Sequence, residues 1–417
     1  MRMRKYWLIA LLAVTLSGDT MLTVALVWTA LASSKSTLPL GLTLALMSVA
    51  PYALQSAFPQ LKSWISRAPL HAFAAARGAG LLVAVGALLL PSPMPLWTLY
   101  GVAGAFTITV FIVQQCIETT MASLVLRDVL SAGEASRMSQ TSIQLGAFTG
   151  GALGGMLLER AGIRFTFIAL IGTLAVGSLI PALLRDEVGG VQRGRQLPSR
   201  DPGPQVRPAR PSRSSSRSLL LWLALLGVLV LTIQLGSYNY LFPIVMQKGK
   251  LWHASDYGLV SASAGVGALL ASLIVVAQRA ERWQVLASVF VIALADTGLW
   301  ITRSVVVAMA LTFVLGYAFN TLRIRQRTLI FENVASDQEG AEWAARTTVV
   351  FQVTKAALPI LLALVIDASG VTRAGPGLAI VGCAVAAVLL FITTQQGRHA
   401  SLVAIARSTA PSSGACQ

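Results

Sequence analysis

The chain has 417 residues, 55% of them hydrophobic and only 12% charged. A soluble protein carries about twice that share of charge, so a water-solvated globule is excluded. The net charge of +16 would suit a nucleic-acid binder only if it gathered on one face; here it is spread between apolar runs, and no nucleic-acid partner is expected.

The apolar runs come as two sets of six. The first set covers 6–32, 38–58, 72–91, 96–122, 138–158 and 165–184; the second covers 219–246, 257–277, 284–302, 305–331, 346–366 and 374–394. About 20 apolar residues of helix cross a hydrocarbon core of about 30 Å. Lipid offers backbone N–H and C=O groups no partners, so a crossing is a helix or part of a closed barrel. These runs are apolar all round and too long for barrel strands, which predicts an all-α membrane protein of twelve transmembrane helices. The first run follows Arg2, Arg4 and Lys5 as a signal peptide would, yet it is too long for one and ends without a small-residue cleavage site. It reads as a retained first span.

With the N-terminus inside, the outer loops hold only Lys35, Arg160, Arg164, Lys248, Lys250, Arg303 and Arg373 of the 32 Lys and Arg residues. That positive-inside bias puts both termini in the cytoplasm. Between the two sets lies 185–218, rich in Arg, Pro and Ser. It cannot bury a core and is expected to be a flexible cytoplasmic linker between an N-terminal bundle (1–184) and a C-terminal bundle (219–394). Residues 395–417 are expected to form a disordered tail.

The halves also look like repeats. Gln144 to Gly162 aligns without gaps on Gln352 to Gly370, setting Gln144 on Gln352 and Glu159-Arg160-Ala161-Gly162 on Asp367-Ala368-Ser369-Gly370. Each stretch falls at the fifth span of its set, so the expected architecture is two pseudo-symmetric six-helix bundles with a substrate site between them near mid-membrane. Cys116, Cys383 and Cys416 are scattered, as are His71, His253 and His399, so neither a disulfide framework nor a metal site is expected. No phosphate-binding G-x-x-x-x-G-K-[ST] loop, H-E-x-x-H motif or nucleophile elbow occurs. An enzyme or an ATP-driven pump is not expected, and no cofactor is implied.

Several local runs carry a family resemblance. Leu16-Ser17-Gly18-Asp19 is followed by Val24-Ala25-Leu26-Val27-Trp28; Ser36 to Gly41 leads into Ala50-Pro51; and span five holds Gly146-x-x-x-Gly150-Gly151-x-x-Gly154-Gly155. With these the chain resembles the major facilitator superfamily over all twelve spans, and within it the exporter branch of the enterobactin exporter and macrolide-efflux proteins. The glycine run resembles the fifth-helix antiporter motif, with Gly151 in place of its proline. One departure is clear. In the loop after span two, Phe58 and Lys62 stand where the family has a glycine and an aspartate, so the family's charged latch is altered. The resemblance implies export of a small solute from the cytoplasm across a bacterial inner membrane by a monomer. Helices one, four, seven and ten would line the cavity.

A charge near the bilayer centre costs about 2.5–3.5 kcal/mol on insertion scales, so each needs a partner or a wet cavity. Asp19, in the middle of span one, is either a proton carrier or a permanently paired carboxylate, with Lys355 a candidate partner. Glu118 and Gln114 lie four apart on one face of span four and, with Gln115, form a polar patch that could face substrate or bond to the neighbouring inner loops. Asn320, Arg323 and Arg327 share a face of span ten. They would either attract an anion or simply mark a helix end with charges that snorkel to water. Lys355 sits at the centre of span eleven beside Gln352; its stem reaches about 6 Å against a half-thickness of about 15 Å, so it must meet a cavity or a carboxylate. That carboxylate would be Asp19 or Asp296; Asp296, on span nine, is a weaker candidate for function because ninth helices are peripheral in the resembled fold. Arg77 on span three reads as a structural anchor. Gln234 and Tyr238 share a face of span seven and suit either an aromatic ligand or interhelical hydrogen bonds. Gly146, Gly150, Gly151, Gly154 and Gly155 let helix backbones approach closely, whether for packing alone or to seal the two halves. The expected substrate is a small anionic or metal-chelating molecule, a siderophore foremost, exchanged for protons across the lipid; a broad drug exporter of the macrolide-efflux kind is the rival. Import and a non-transporting sensor stand behind both.

Overall fold

The computed structural model describes residues 2–90, 95–126, 132–181, 215–277, 282–333 and 337–408, and all of their regular structure is helical. Spans one to four are Arg2–Ala32, Leu38–Ala57, Pro69–Leu88 and Leu96–Leu126. Spans five and six lie within Ala132–Gly177, which breaks at Gly162. Span seven, Ser215–Ile244, runs into a π-helical turn, Val245–Gly249. Spans eight to twelve are Ala254–Ala277, Arg282–Ile301, Val305–Asn333, Asp337–Ser369 and Ala374–Ser408.

Eleven segments of described residues are long and apolar enough to cross a membrane, and one of them, Thr141–Gly177, has 37 residues. As a straight helix it would measure about 55 Å, nearly twice a hydrocarbon core. It folds back instead: Gly150 of span five packs on Ser17, and Thr173 of span six packs on neighbouring Gly18. The reversal lies at Gly162, whose φ of 78° is costly for any residue with a Cβ. Gly370, its counterpart in the repeat alignment, ends span eleven with a φ of 95°. The chain therefore crosses twelve times, and the two halves turn at matching glycines.

Two details depart from expectation. The connection between spans two and three contains a short helix, Pro59–Arg67, which starts on a proline suited to a first helical position. The expected disordered tail is helical as far as Ser408: Ala, Leu and Arg after Gly397 are good helix formers, and the next proline is Pro411. Residues 409–417 lie outside the described part. So does the expected linker, except for 215–218, which open span seven.

The halves meet along two helix pairs. Span two packs on span eleven, where a Cβ at Gly41 would strike the Pro359 carbonyl. Span five packs on span eight, where Gly155 meets the backbone of Ala254 and Gly258. The glycine motif is thus two-sided: Gly146, Gly150 and Gly154 seat span one, and Gly151 and Gly155 seat span eight across the halves.

One end of the bundle, where spans one and two join, is closed. Val24, Val27, Leu31 and Leu40 are buried in the same core as Tyr240, Phe242 and Val260 of the other half, and Trp28 stacks on Tyr257 with ring centroids 5.4 Å apart. Span two begins at Thr37, whose own side chain caps nothing. The cap comes from the other half: Asp367 of span eleven accepts bonds from the Thr37 N–H and Oγ1, both at 2.8 Å, and from the Ser36 hydroxyl. The loop carbonyls just past the end of span one receive Lys248, whose Nζ donates to Ser34, Lys35 and Ser36. Tyr240 adds a 2.6 Å bond to Thr37. A cation at a helix C-terminus and an anion at an N-terminus both match the helix dipole.

Candidate functional site

A cavity of about 370 Å³ lies between the halves, lined by spans one, two, four, seven, eight and eleven. Its polar lining is Asp19, Thr20, Thr23, Ser48, Tyr52, Thr107, Gln114, Asn239, Tyr257, Gln352 and Lys355. The volume falls within the range typical of small-molecule sites, about 300–1,000 Å³. Span ten, expected to line it, contributes no lining residue.

Asp19 shows one edge to this cavity but is already matched. Arg77 of span three donates to both carboxylate oxygens, Nη1 to Oδ1 at 2.9 Å and Nη2 to Oδ2 at 3.2 Å. Arg77 is 1% exposed, with its guanidinium 5.6 Å from the Phe73 ring centroid. A bidentate fork of this kind is among the stronger hydrogen-bonded ion pairs. The partner of Asp19 is therefore Arg77, from its own half; Lys355, the partner considered from sequence, makes no such pair. Two residues that sit far apart in the chain on different spans left no local signal of their meeting.

Lys355 has no carboxylate within ion-pair distance among the described residues. Its ammonium lies 5.8 Å from the Phe351 ring centroid, and it feels the charge of another cation, Arg323, which in turn feels Arg327. Arg323 and Arg327 are both exposed. Three cations thus follow one another from mid-membrane toward the end of the bundle that carries the chain termini. Gln352 faces Tyr52, with Glu118 near enough to act on the same hydroxyl. Glu118 itself is exposed, one turn beyond Gln114, while Gln115 is half-buried beside it.

Other predicted site residues lie elsewhere. Asn320 is buried, and its Nδ2 bonds to Ala268 O and Ser272 Oγ of span eight, both at 2.8 Å. Gln234 and Tyr238 turn into the C-terminal half, away from the cavity; Gln234 bonds to Asp296 and Tyr238 stacks on Phe242. Sequence reasoning passed over Tyr52, Tyr257, Thr20 and Thr23. Thr23, four residues after Asp19, could have been found by helical spacing; the two tyrosines look like ordinary membrane aromatics until the halves meet.

No family model and no curated protein matches the sequence. Solved structures do match the fold. A bacterial homologue of the human lysosomal transporter Spinster, inward-facing and unoccupied, superposes with a TM-score of 0.67 at 12% identity, over 95% of this chain and 98% of that one. The nucleoside transporter NupG gives 0.67 at 10% identity, over 94% and 98%. A bacterial homologue of the iron transporter ferroportin in an inward-facing state gives 0.62 at 14% identity, over 96% and 99%. The chain therefore has the major facilitator fold, that of a multi-pass membrane protein with two six-helix bundles around a central cavity.

Proposed function

We propose that the chain is a secondary transporter that exports a small anionic or metal-chelating solute, with a siderophore as first choice, by alternating access and proton exchange. The observation that carries this reading is Lys355: a cation on the cavity wall, backed by Arg323 and without a neutralising carboxylate among the described residues. A cation desolvated in that way gains most from an anion brought by the solute. The one acid of the cavity lining, Asp19, is already held by Arg77, which weakens the case for the cationic drugs of the rival reading.

Alternating access is supported by the difference between the bundle's two ends. Between described residues, many of the hydrogen bonds that join the halves gather at the closed end, with Ser48 to the Lys355 carbonyl and Tyr52 to Gln352 lying deeper. The distribution of Lys and Arg makes that end the outer one, and two of the similar structures are described as inward-facing. Proton exchange falls to Asp19, free to titrate only when Arg77 lets go, and to exposed Glu118.

Inside-out vesicles given an interior-acid pH gradient test the reading. An iron-free catecholate siderophore should accumulate, and Lys355→Gln should lower its uptake at least tenfold while leaving protein levels unchanged. Accumulation of a macrolide with none of the siderophore would transfer the assignment to drug efflux.

A further inference from the structure

One deeply buried acid lies outside the central cavity. Asp296 of span nine is 0% exposed. Its Oδ2 accepts a 2.5 Å bond from Nε2 of Gln234 on span seven, a residue that is 2% exposed. Among the described residues, Asp296 Oδ1 has no hydrogen-bond partner, and neither do Gln234 Oε1 and Tyr238 Oη, all of them buried. Span twelve leaves room for the carboxyl by presenting Gly382, where a Cβ would overlap it. Span ten packs on span nine through Leu311 against Gly298. Among the described residues, the titratable group facing Asp296 is the Tyr238 hydroxyl, and no Lys, Arg or His comes within ion-pair distance. An ionised carboxylate so placed, with one amide bond and no counter-charge, takes up a proton rather than stay charged.

Two tyrosines connect its surroundings with those of the cavity. Tyr257 lines the cavity. Tyr238 lies close enough to both Tyr257 and Asp296 to interact electrostatically with each; its ring stacks on Phe242 at 4.7 Å, and Phe242 lies 5.8 Å from Tyr257. A tyrosine hydroxyl both donates and accepts.

We propose that Asp296 is a proton-binding site of the C-terminal half, reached from the central cavity through the hydroxyls of Tyr257 and Tyr238. The Tyr238 hydroxyl, unpartnered in this conformation, must turn to bond Tyr257 and then Asp296. A proton arriving at Tyr257 is taken up on its oxygen as its own phenolic proton passes to Tyr238 and that of Tyr238 to Asp296, so that both hydroxyls end as they began and the carboxylate has gained one proton. Gln234 serves both charge states, its N–H bonding the carboxylate and its carbonyl, after the amide turns over, accepting from the carboxyl O–H. The site deepens the functional reading by naming a residue for its coupling proton, but its test needs no transported solute, so failure of the siderophore assay and failure of this site are separate results.

Infrared difference spectra of the protein in lipid vesicles, titrated between pH 5 and pH 9 (about two units either side of neutrality, a range in which an ordinary exposed Asp, with a pKa of about 3.9, stays ionised), provide that test. A protonated-carboxyl C=O band should fade reversibly as pH rises. It should be missing in Asp296→Asn, which keeps the shape and an amide bond to Gln234, and shifted in Gln234→Leu. Tyr238→Phe should keep the band but slow its response to a pH jump at least tenfold. A band unchanged in Asp296→Asn, or one that never responds to pH, overturns the proposal. So does a band suppressed by sodium chloride but not by N-methylglucamine chloride at fixed pH, which would make this a sodium site. If Asp296→Asn does not fold, the Gln234→Leu frequency shift assigns the band, and an unshifted band counts against the site.

Discussion

Asp19 and Asp296 are carboxylates buried on membrane-spanning helices, one in each half, and their surroundings differ in kind. Asp19 has a guanidinium on both oxygens and an edge on the cavity. Asp296 has one amide, two hydroxyl-bearing tyrosines leading away from it and no described cation. The lesson is that depth in the bilayer does not decide what a buried acid can do. The partner does: a paired acid is held until its cation lets go, while an unpaired one can exchange a proton with no ion pair to break.

The most damaging way to break this contrast is to remove Arg77. Arg77→Ala strips a buried Asp19 of its counter-charge, so that it must take up a proton or stay charged in an apolar setting, and should cost about 3–5 kcal/mol. Thermal unfolding in detergent measures the loss, and adding Asp19→Asn should recover much of it because no unpaired charge remains. Next comes Gly382→Ala, which pushes a methyl into the Asp296 carboxyl. Overpacking of that kind costs about 1–3 kcal/mol, and the same melt should show it, with Gly172→Ala, where the added Cβ meets nothing within 4 Å, unchanged. Gly155→Ala tests whether the halves, rather than their acids, set stability. Its Cβ would enter the span-eight backbone, and a loss similar to that of Gly382→Ala is expected, together with weaker association of the two halves when they are co-expressed as separate chains. The smallest effect belongs to Asp367→Asn, which weakens a helix cap supplied from across the halves. Loss of such a cap is worth about 0.5–2 kcal/mol. It should raise labelling of a Val27→Cys probe by an impermeant thiol reagent added from the side of the closed end, in a background without the native cysteines. Unchanged labelling would mean that the cap does not hold this end shut.

Much of the fold was legible because crossing a membrane leaves a local mark. Runs of apolar residues gave all twelve spans, and the repeat alignment set Gly162 on Gly370, the two glycines at which the structure has positive φ. The short helix at Pro59–Arg67 and the helical run to Ser408 were missed because neither depends on apolar length. The site was legible in its ingredients but not in its pairings. Asp19, Gln114, Gln352 and Lys355 do share a cavity. Yet Arg77 reaches Asp19 from another span, and Asp296 was ranked low by the position of its helix, although what distinguishes it is the company it keeps.

Gly370 has a mechanical consequence. Span eleven lies on span two at the boundary between the halves, and span twelve brings Gly382 against Asp296. Only the single 3₁₀ turn Val371–Arg373 separates Gly370 from the start of span twelve. An elbow that short has no slack, so a twist of span eleven would be delivered to span twelve and to the Gly382 contact with Asp296. A longer, looser elbow, made by inserting a few glycines after Gly370, would let the two ends of that linkage move out of step.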